Sequence, residues 1–362
     1  MRNPHRKAFW ALAALVAVGV AGCSDSTGVE EEFDPVTANA AAEDVQTALA
    51  SNPALASMSV MGTYFPDFAA APLAATVPSE YPTVDDNKHW IDQRREALSD
   101  WTRYDSPDGP AAVTFPADLL GKTLVYNPAT EQYEVDDTLD DPVPANGIWL
   151  VLYAVDPILH QIVEPLTEVG YLELTDEDTP AMDALGIKAV INDVTVLEYL
   201  ASAVVTTSSI TFSADGYAFN GETRANFELS ATFSETEGVS IDYFIEVPEE
   251  ASIHLQLDVT QAPETASLRL EITHGPNVAV MELEVTANTF TGGITHNGDL
   301  VIDISGTPEE PVFTNVATGE PLTDQQLLAL AHILEAAGEV LDTFDDLLGP
   351  AVAVLQIPVY AL

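Results

Sequence analysis

The chain has 362 residues, with 11 Lys and Arg against 58 Asp and Glu and a formal net charge of −47. A body this negative repels phosphate backbones and anionic headgroups, which excludes nucleic-acid binding and membrane docking through a polybasic patch. Apolar residues make up 47% of the chain, enough to bury a core, so the acidity reads as a solvated surface, and the length allows one large or two moderate domains.

Arg2, Arg6 and Lys7 form a positive head, Ala8 to Val20 is an unbroken apolar run, and Val20-Ala21-Gly22 leads into Cys23, the one cysteine. This is the layout of a secretory signal over 1–22, and its apolar run is shorter than the roughly 20 residues of a permanent membrane span. Val20-Ala21-Gly22-Cys23 resembles the lipobox of bacterial lipoproteins. The resemblance implies that Cys23 takes lipid on its sulfur, becomes the new N-terminus after cleavage and is acylated there. Two or three chains on one residue suffice for stable attachment. The alternative is a soluble exported protein, but a lone thiol without a partner is awkward in an oxidising compartment. By the same resemblance, Ser24 after the cysteine favours the outer membrane of the cell envelope, facing either the periplasm or the surface.

Residues 23–36 are small, polar and acidic and read as a lipidated cysteine on a flexible tether. Glu30, Glu31 and Glu32 also resemble the acidic run with which some lineages send lipoproteins to the surface. Region 37–110 is expected to be helical and irregular, packing on a sheet. Ala38 to Ser51 is alanine-rich, with Val45, Ala48 and Leu49 on one side of a short helix. Proline and alanine dominate from Asn52 to Pro82, an irregular stretch. A second amphipathic helix is expected over 85–101, with Trp90, Ile91, Leu98 and Trp101 at near-helical spacing.

From residue 111 to 362 the pattern changes to period two. Short strands are expected at Ala111–Phe115, Lys122–Asn127, Glu131–Val135, Ile148–Val155 and Gly170–Leu174, with a hairpin turning at Asn127-Pro128-Ala129-Thr130. Ile187 to Phe212 holds two or three more. Ala225, Phe227, Leu229, Ala231 and Phe233 alternate with polar residues, and so do Val239 to Val247 and Ile253 to Val259. Leu268, Leu270 and Ile272, then Met281, Leu283 and Val285, then Leu300, Ile302 and Ile304 continue the series. Half-buried strands joined by short polar links describe an antiparallel meander with one face on a core. A cover for that face follows. Thr323 and Gln326 form a capping box, Leu322 and Leu327 a staple, and Leu327, Leu330, Leu334, Ala337, Leu341, Phe344 and Leu348 trace one stripe over 324–348. Such a rod would measure about 40 Å. Gly349-Pro350 ends it, and Ala351 to Val359 reads as a closing strand.

The expected fold is therefore mainly β (α+β): a curved antiparallel meander or half-barrel packed against a long C-terminal amphipathic helix, with short N-terminal helices. That arrangement is similar to the half-barrel lipoproteins that carry or sense lipid, a likeness of fold with no shared motif.

No Gly-x-Ser-x-Gly elbow, Ser-x-x-Lys or His-Glu-x-x-His is present, and the scattered histidines lack paired ligand spacing, so no catalytic residue and no cofactor is assigned. His254 and His274 read as solvated rather than ligating. Asp136, Asp137, Asp140 and Asp141 are weak calcium candidates, since calcium takes hard oxygen ligands, but their spacing is not that of an EF-hand and a solvated loop is favoured. Trp90, Arg94, Arg95 and Trp101 make a surface-patch candidate for an anion, sugar or partner. The competing reading, a latch with buried tryptophans and paired arginines, is favoured. The function expected is a membrane-anchored, non-catalytic envelope lipoprotein binding an apolar or lipid ligand between sheet and helix, with Leu327, Leu330, Leu334, Leu341 and Phe344 lining the cleft. A structural or protein-interaction lipoprotein with a packed core ranks second, and a hydrolase third.

Overall fold

A computed structural model describes residues 35–50, 52, 54, 57–58, 115–156, 161–179, 182–206, 208–234, 237–261, 264–307, 310–323, 326–327, 330 and 348. Outside them lie the signal expected over 1–22, Cys23, the tether expected over 23–36 save for residues 35 and 36, the helix expected over 85–101, residues 111–114 and the strand expected over 351–359.

The period-two stretches become a single sheet of 15 strands. At one end stand β1 (Lys122–Asn127), β2 (Gln132–Val135) and β3 (Gly147–Tyr153); a separate two-stranded pair, β4 (Val155–Asp156) and β5 (Gln161–Ile162), follows. The meander proper runs through β6 (Glu168–Asp176), β7 (Asp183–Ile191), β8 (Val194–Val205), β9 (Ser209–Phe219), β10 (Arg224–Ser234) and β11 (Gly238–Val247). It continues through β12 (Ala251–Gln261), β13 (Glu264–His274), β14 (Asn277–Thr286), β15 (Phe290–His296), β16 (Asp299–Thr307) and β17 (Glu310–Asn315). From β6 to β17 each strand pairs antiparallel with the next in sequence. Tight turns set the register: Asn192 and Asp193 join β7 to β8, and Asn297 and Gly298 join β15 to β16, all at positive φ. That conformation matches the twist of a two-residue hairpin.

One pairing departs from the expected meander. β1 lies parallel to β3, with Leu124 opposite Leu150, while β2 folds outward to the sheet edge. The predicted hairpin forms, but its first strand takes the inner place, so the return loop must cross the end of β1. Thr123 Oγ1, on β1, donates to Asp141 Oδ2 of that loop at 2.8 Å.

Register partners across an antiparallel pair share a face, and the apolar residues line up accordingly. Leu229, Tyr243, Leu255, Leu270, Met281, Ile294 and Ile302 form one row across seven strands. All belong to or pack on one core. The cover is α1 (Pro35–Ala50). Pro35 opens it at a position whose amide would lack a helical partner anyway, and its alanines carry high helix propensity. Ala41, Val45, Ala48 and Leu49 are fully buried, and α1 meets β9 to β13. Its 16 residues extend about 24 Å, against about 19 Å for four inter-strand steps. Burying Val45 and Leu49 contributes about 1.5–3 kcal/mol each.

Among the described residues the long helix expected over 324–348 is not seen, and the helix laid on the sheet there is α1, on the N-terminal side. Of that stretch, Gln326, Leu327, Leu330 and Leu348 have helical backbone and the rest lies outside the described residues. Its start does form as expected. The Thr323 amide donates to Gln326 Oε1 at 3.0 Å and the Gln326 amide to Thr323 Oγ1 at 3.3 Å.

Both sheet edges are blunted. On β17 the outward backbone groups of Phe313 and Asn315 bond the chain at Leu322 and Glu320, and the next outward position, Pro311, has no N–H to offer. At the other edge β2 is four residues long. Short edges and edge prolines deny a template to other chains.

Candidate functional site

The inner face is the candidate site, and α1 with Asn52, Ala54, Ser57 and Met58 occupies it as a strap. On β11 and β12, two of the strands that α1 meets, Ile245, Val247, Ala251 and Ile253 are buried. Further along the same strands Ile241, Leu255, Leu257 and Val259 are only partly buried. Along β11 and β12 the apolar face is therefore sealed toward the Val247 and Ala251 end and less covered toward the Val259 end.

Two irregularities of the sheet position the strap. On β8, Leu197 opposes Ala189 and Thr195 opposes Val190, so Val196 is an extra residue, a β-bulge. A bulged residue drops out of the ladder and leaves its backbone groups to find other partners. Buried Asn52 supplies one: its Nδ2 donates to the Val196 carbonyl and, at 3.4 Å, to that of Phe219. Asn52 Oδ1 meanwhile accepts the Ala54 amide at 2.9 Å. A second bulge sits where β3 meets β6, at Leu152/Tyr153. There buried Ser57 Oγ donates to the Tyr153 carbonyl at 2.8 Å. At the helix, His274 Nε2 lies 3.3 Å from Asp44 Oδ2 and Asn220 Nδ2 donates to the Thr47 carbonyl at 3.4 Å.

The outer face is polar and carries its own row: Trp149, Glu173, Lys188, Glu198, Tyr217, Asn226 and Glu246 are successive register partners. Trp149 Nε1 donates to Glu173 Oε2 at 2.7 Å, Tyr217 Oη to Glu198 Oε2 at 3.0 Å, and Asn226 Nδ2 to Glu246 Oε1 at 3.0 Å. Trp149 stacks on Tyr171 with centroids 3.9 Å apart, and the Arg224 guanidinium lies 3.7 Å from the Tyr217 centroid. Partial burial raises both tyrosine hydroxyls above their ordinary range, helped by Glu173 beside Tyr171 and by Glu198 beside Tyr217. These contacts satisfy one another along the sheet, as cross-strand pairs do.

At the β6–β7 hairpin, burial raises the Asp183 carboxyl, with Asp178 and Asp176 adding repulsion. A carboxyl raised in the folded state holds its proton where the unfolded chain has released it, so stability falls as pH rises above the unfolded value of about 3.9. Asp183→Asn is expected to stabilise the protein at pH 7 by about 0.3 kcal/mol after solvent screening. The gain should vanish below about pH 4; urea titrations at the two pH values check it.

The sequence-predicted residues scatter. Leu330 and Leu348 are buried in the core and Leu327 packs against it; Leu334, Leu341 and Phe344 lie outside the described residues, as do Trp90, Arg94, Arg95 and Trp101. The four aspartates are not gathered round a common point. Asp137 pairs with Lys122 at 2.6 Å, Asp141 accepts from Thr123, and Asp136 accepts from the Thr138 amide and hydroxyl. Among the described residues no group of three or more His, Cys, Asp or Glu can hold a metal ion. The histidines read as solvated turn out half-buried and paired, His254 with Asp242 at 3.0 Å and His274 with Asp44. Asn52 and Ser57 were missed, since a bulge leaves no mark in the sequence of the segment that caps it. No family model, curated protein or solved structure matches this chain.

Proposed function

We propose that this chain is an envelope lipoprotein, anchored through lipid on Cys23 in the bacterial outer membrane, that binds an apolar or lipid ligand on the inner face of its sheet without catalysing a reaction. The observation that carries this reading is the seven-strand apolar row, in which Leu255, and beside which Ile241, Leu257 and Val259, stay partly accessible. A helix meeting five consecutive strands supports a curved, half-barrel form of the sheet. The burial of both Leu330 and Leu348 in the same core supports further cover from the C-terminal stretch. The polar outer face, with its groups bonded to one another, then stays in water.

Native mass spectrometry of the protein from Phe33 onward, purified from its own host, tests the reading. A lipid-sized adduct lost on collisional activation is the expected result. A clean apo mass, unchanged after incubation with host lipid extract, would sink it in favour of a packed interaction module.

A further inference from the structure

The strap of α1, Asn52, Ala54, Ser57 and Met58 does to the inner face what a ligand would have to do. It lays an apolar edge, Val45, Leu49, Ala54 and Met58, against the sheet. It also presents two uncharged donors, Asn52 Nδ2 and Ser57 Oγ, to backbone carbonyls at the two bulges. Among the described residues, no backbone–backbone hydrogen bond joins the strap to the sheet. The ladder from β3 to β17 is complete without it, so the strap can leave as a unit while the sheet stays folded. What it leaves behind is specific: an apolar trough flanked by carbonyl acceptors at Val196, Phe219 and Tyr153.

We propose that the strap is a displaceable internal ligand, and that its competitor is a single-chain amphiphile with an uncharged, hydrogen-bond-donating head such as a monoacylglycerol. The inference rests on the reading of the inner face as a lipid site. Head chemistry follows from the acceptors. A bare carbonyl is costly to bury without a donor, and a hydroxyl supplies one as Ser57 does. A carboxylate offers none, and it would enter a protein of formal charge −47. An ester with no hydroxyl fills the trough but leaves the carbonyls unmet. Position favours the exchange as well. Pro35 stands 12 residues after Cys23, at most roughly 40 Å of extended chain, so along the chain the strap is the first part of the body after Cys23.

The test uses the full processed chain in phospholipid nanodiscs, followed by hydrogen–deuterium exchange of the strap peptides and by lipid retention after gel filtration. Added 1-monooleoylglycerol is expected to raise exchange over 38–58 at least tenfold while β10 to β14 stay protected; methyl oleate, with the same chain and no donor, should leave it unchanged. Asn52→Ala is expected to raise strap exchange tenfold with no lipid added, and Ser57→Ala to do so to a smaller extent. Retained monooleoylglycerol with a protected strap would overturn displacement and leave the lipid reading standing. Equal release by methyl oleate would overturn the requirement for a donor. Protection of the strap in both variants would overturn the latch. Failure of wild type and both variants to retain either lipid would remove the lipid site itself, and this inference with it.

Discussion

Phe227→Ala is expected to cost about 3–5 kcal/mol, the loss typical of a large aromatic deleted from a close-packed core. Phe227 is among the largest fully buried side chains, and it meets Tyr199 edge-on at 5.7 Å between centroids. The two residues stand on β10 and β8, with β9 between them. Their rings touch because the residue opposite both is Gly216, which places no side chain in the gap. Truncation therefore opens a cavity bounded by a rigid ladder on three strands, with little freedom to collapse. Denaturant unfolding followed by far-UV circular dichroism reads the loss directly. Phe244→Ala, on the outer face of the neighbouring strand and half-buried against His254, should cost about 1 kcal/mol or less. Equal losses at the two positions would mean that the inner face is not the core.

Gly216→Val attacks the same contact from the opposite side. A Cβ at Gly216 would lie 2.2 Å from the Glu198 carbonyl oxygen and 2.3 Å from Tyr199 Cβ. The first of these is backbone, so no side-chain rotation relieves it. β8 and β9 must separate, and the penalty should reach or exceed the upper end of the usual overpacking range, about 3 kcal/mol. Gly221→Ala isolates the alternative cause. Gly221 has φ +103° and open space around it, so only backbone strain opposes the change, about 1–3 kcal/mol. A Gly216→Val protein with wild-type thermal stability would show that the Tyr199–Phe227 contact over β9 does not exist in solution.

The long alternating strands were legible because Phe227, Ile245, Ile253 and Ile272 are large and their neighbours polar, so burial on one face writes itself as period two. β9 was not resolved within Ile187–Phe212 for a related reason. Its inward residues include Ala214, Gly216 and Ala218, too small to register as hydrophobic, because Tyr199 and Phe227 already fill the space above them. β15 and β17 were missed as well; both are short, β15 carries Gly292 and Gly293 in its middle, and β17 is an exposed edge. The parallel pairing of β1 with β3 depends on which side of a hairpin joins the sheet, and no local pattern encodes that choice. α1 was read within three residues at its start and one at its end, since alanine content and a one-sided Val45–Ala48–Leu49 face are local properties. The polar part of the candidate site is of another kind. Asn52 bonds residues more than 140 positions away, and only the assembled sheet creates the bulge that it serves.

The pairing order of the strands also has a kinetic consequence. From β6 to β17 every partner is the next strand along, so each closing loop is a short turn and each added strand finds its template already in place. Nearest-neighbour construction of this kind behaves like a one-dimensional array, in which order spreads outward from whichever hairpin forms first. The strap is the exception. The bonds of its Asn52 and Ser57 lie at separations of 96 to 167 residues, and their acceptors at Val196 and Tyr153 are not in place until both bulges have formed. The first segment of the body to be synthesised is thus the last to settle, and an emerging chain keeps its N-terminal end free until the sheet behind it is complete.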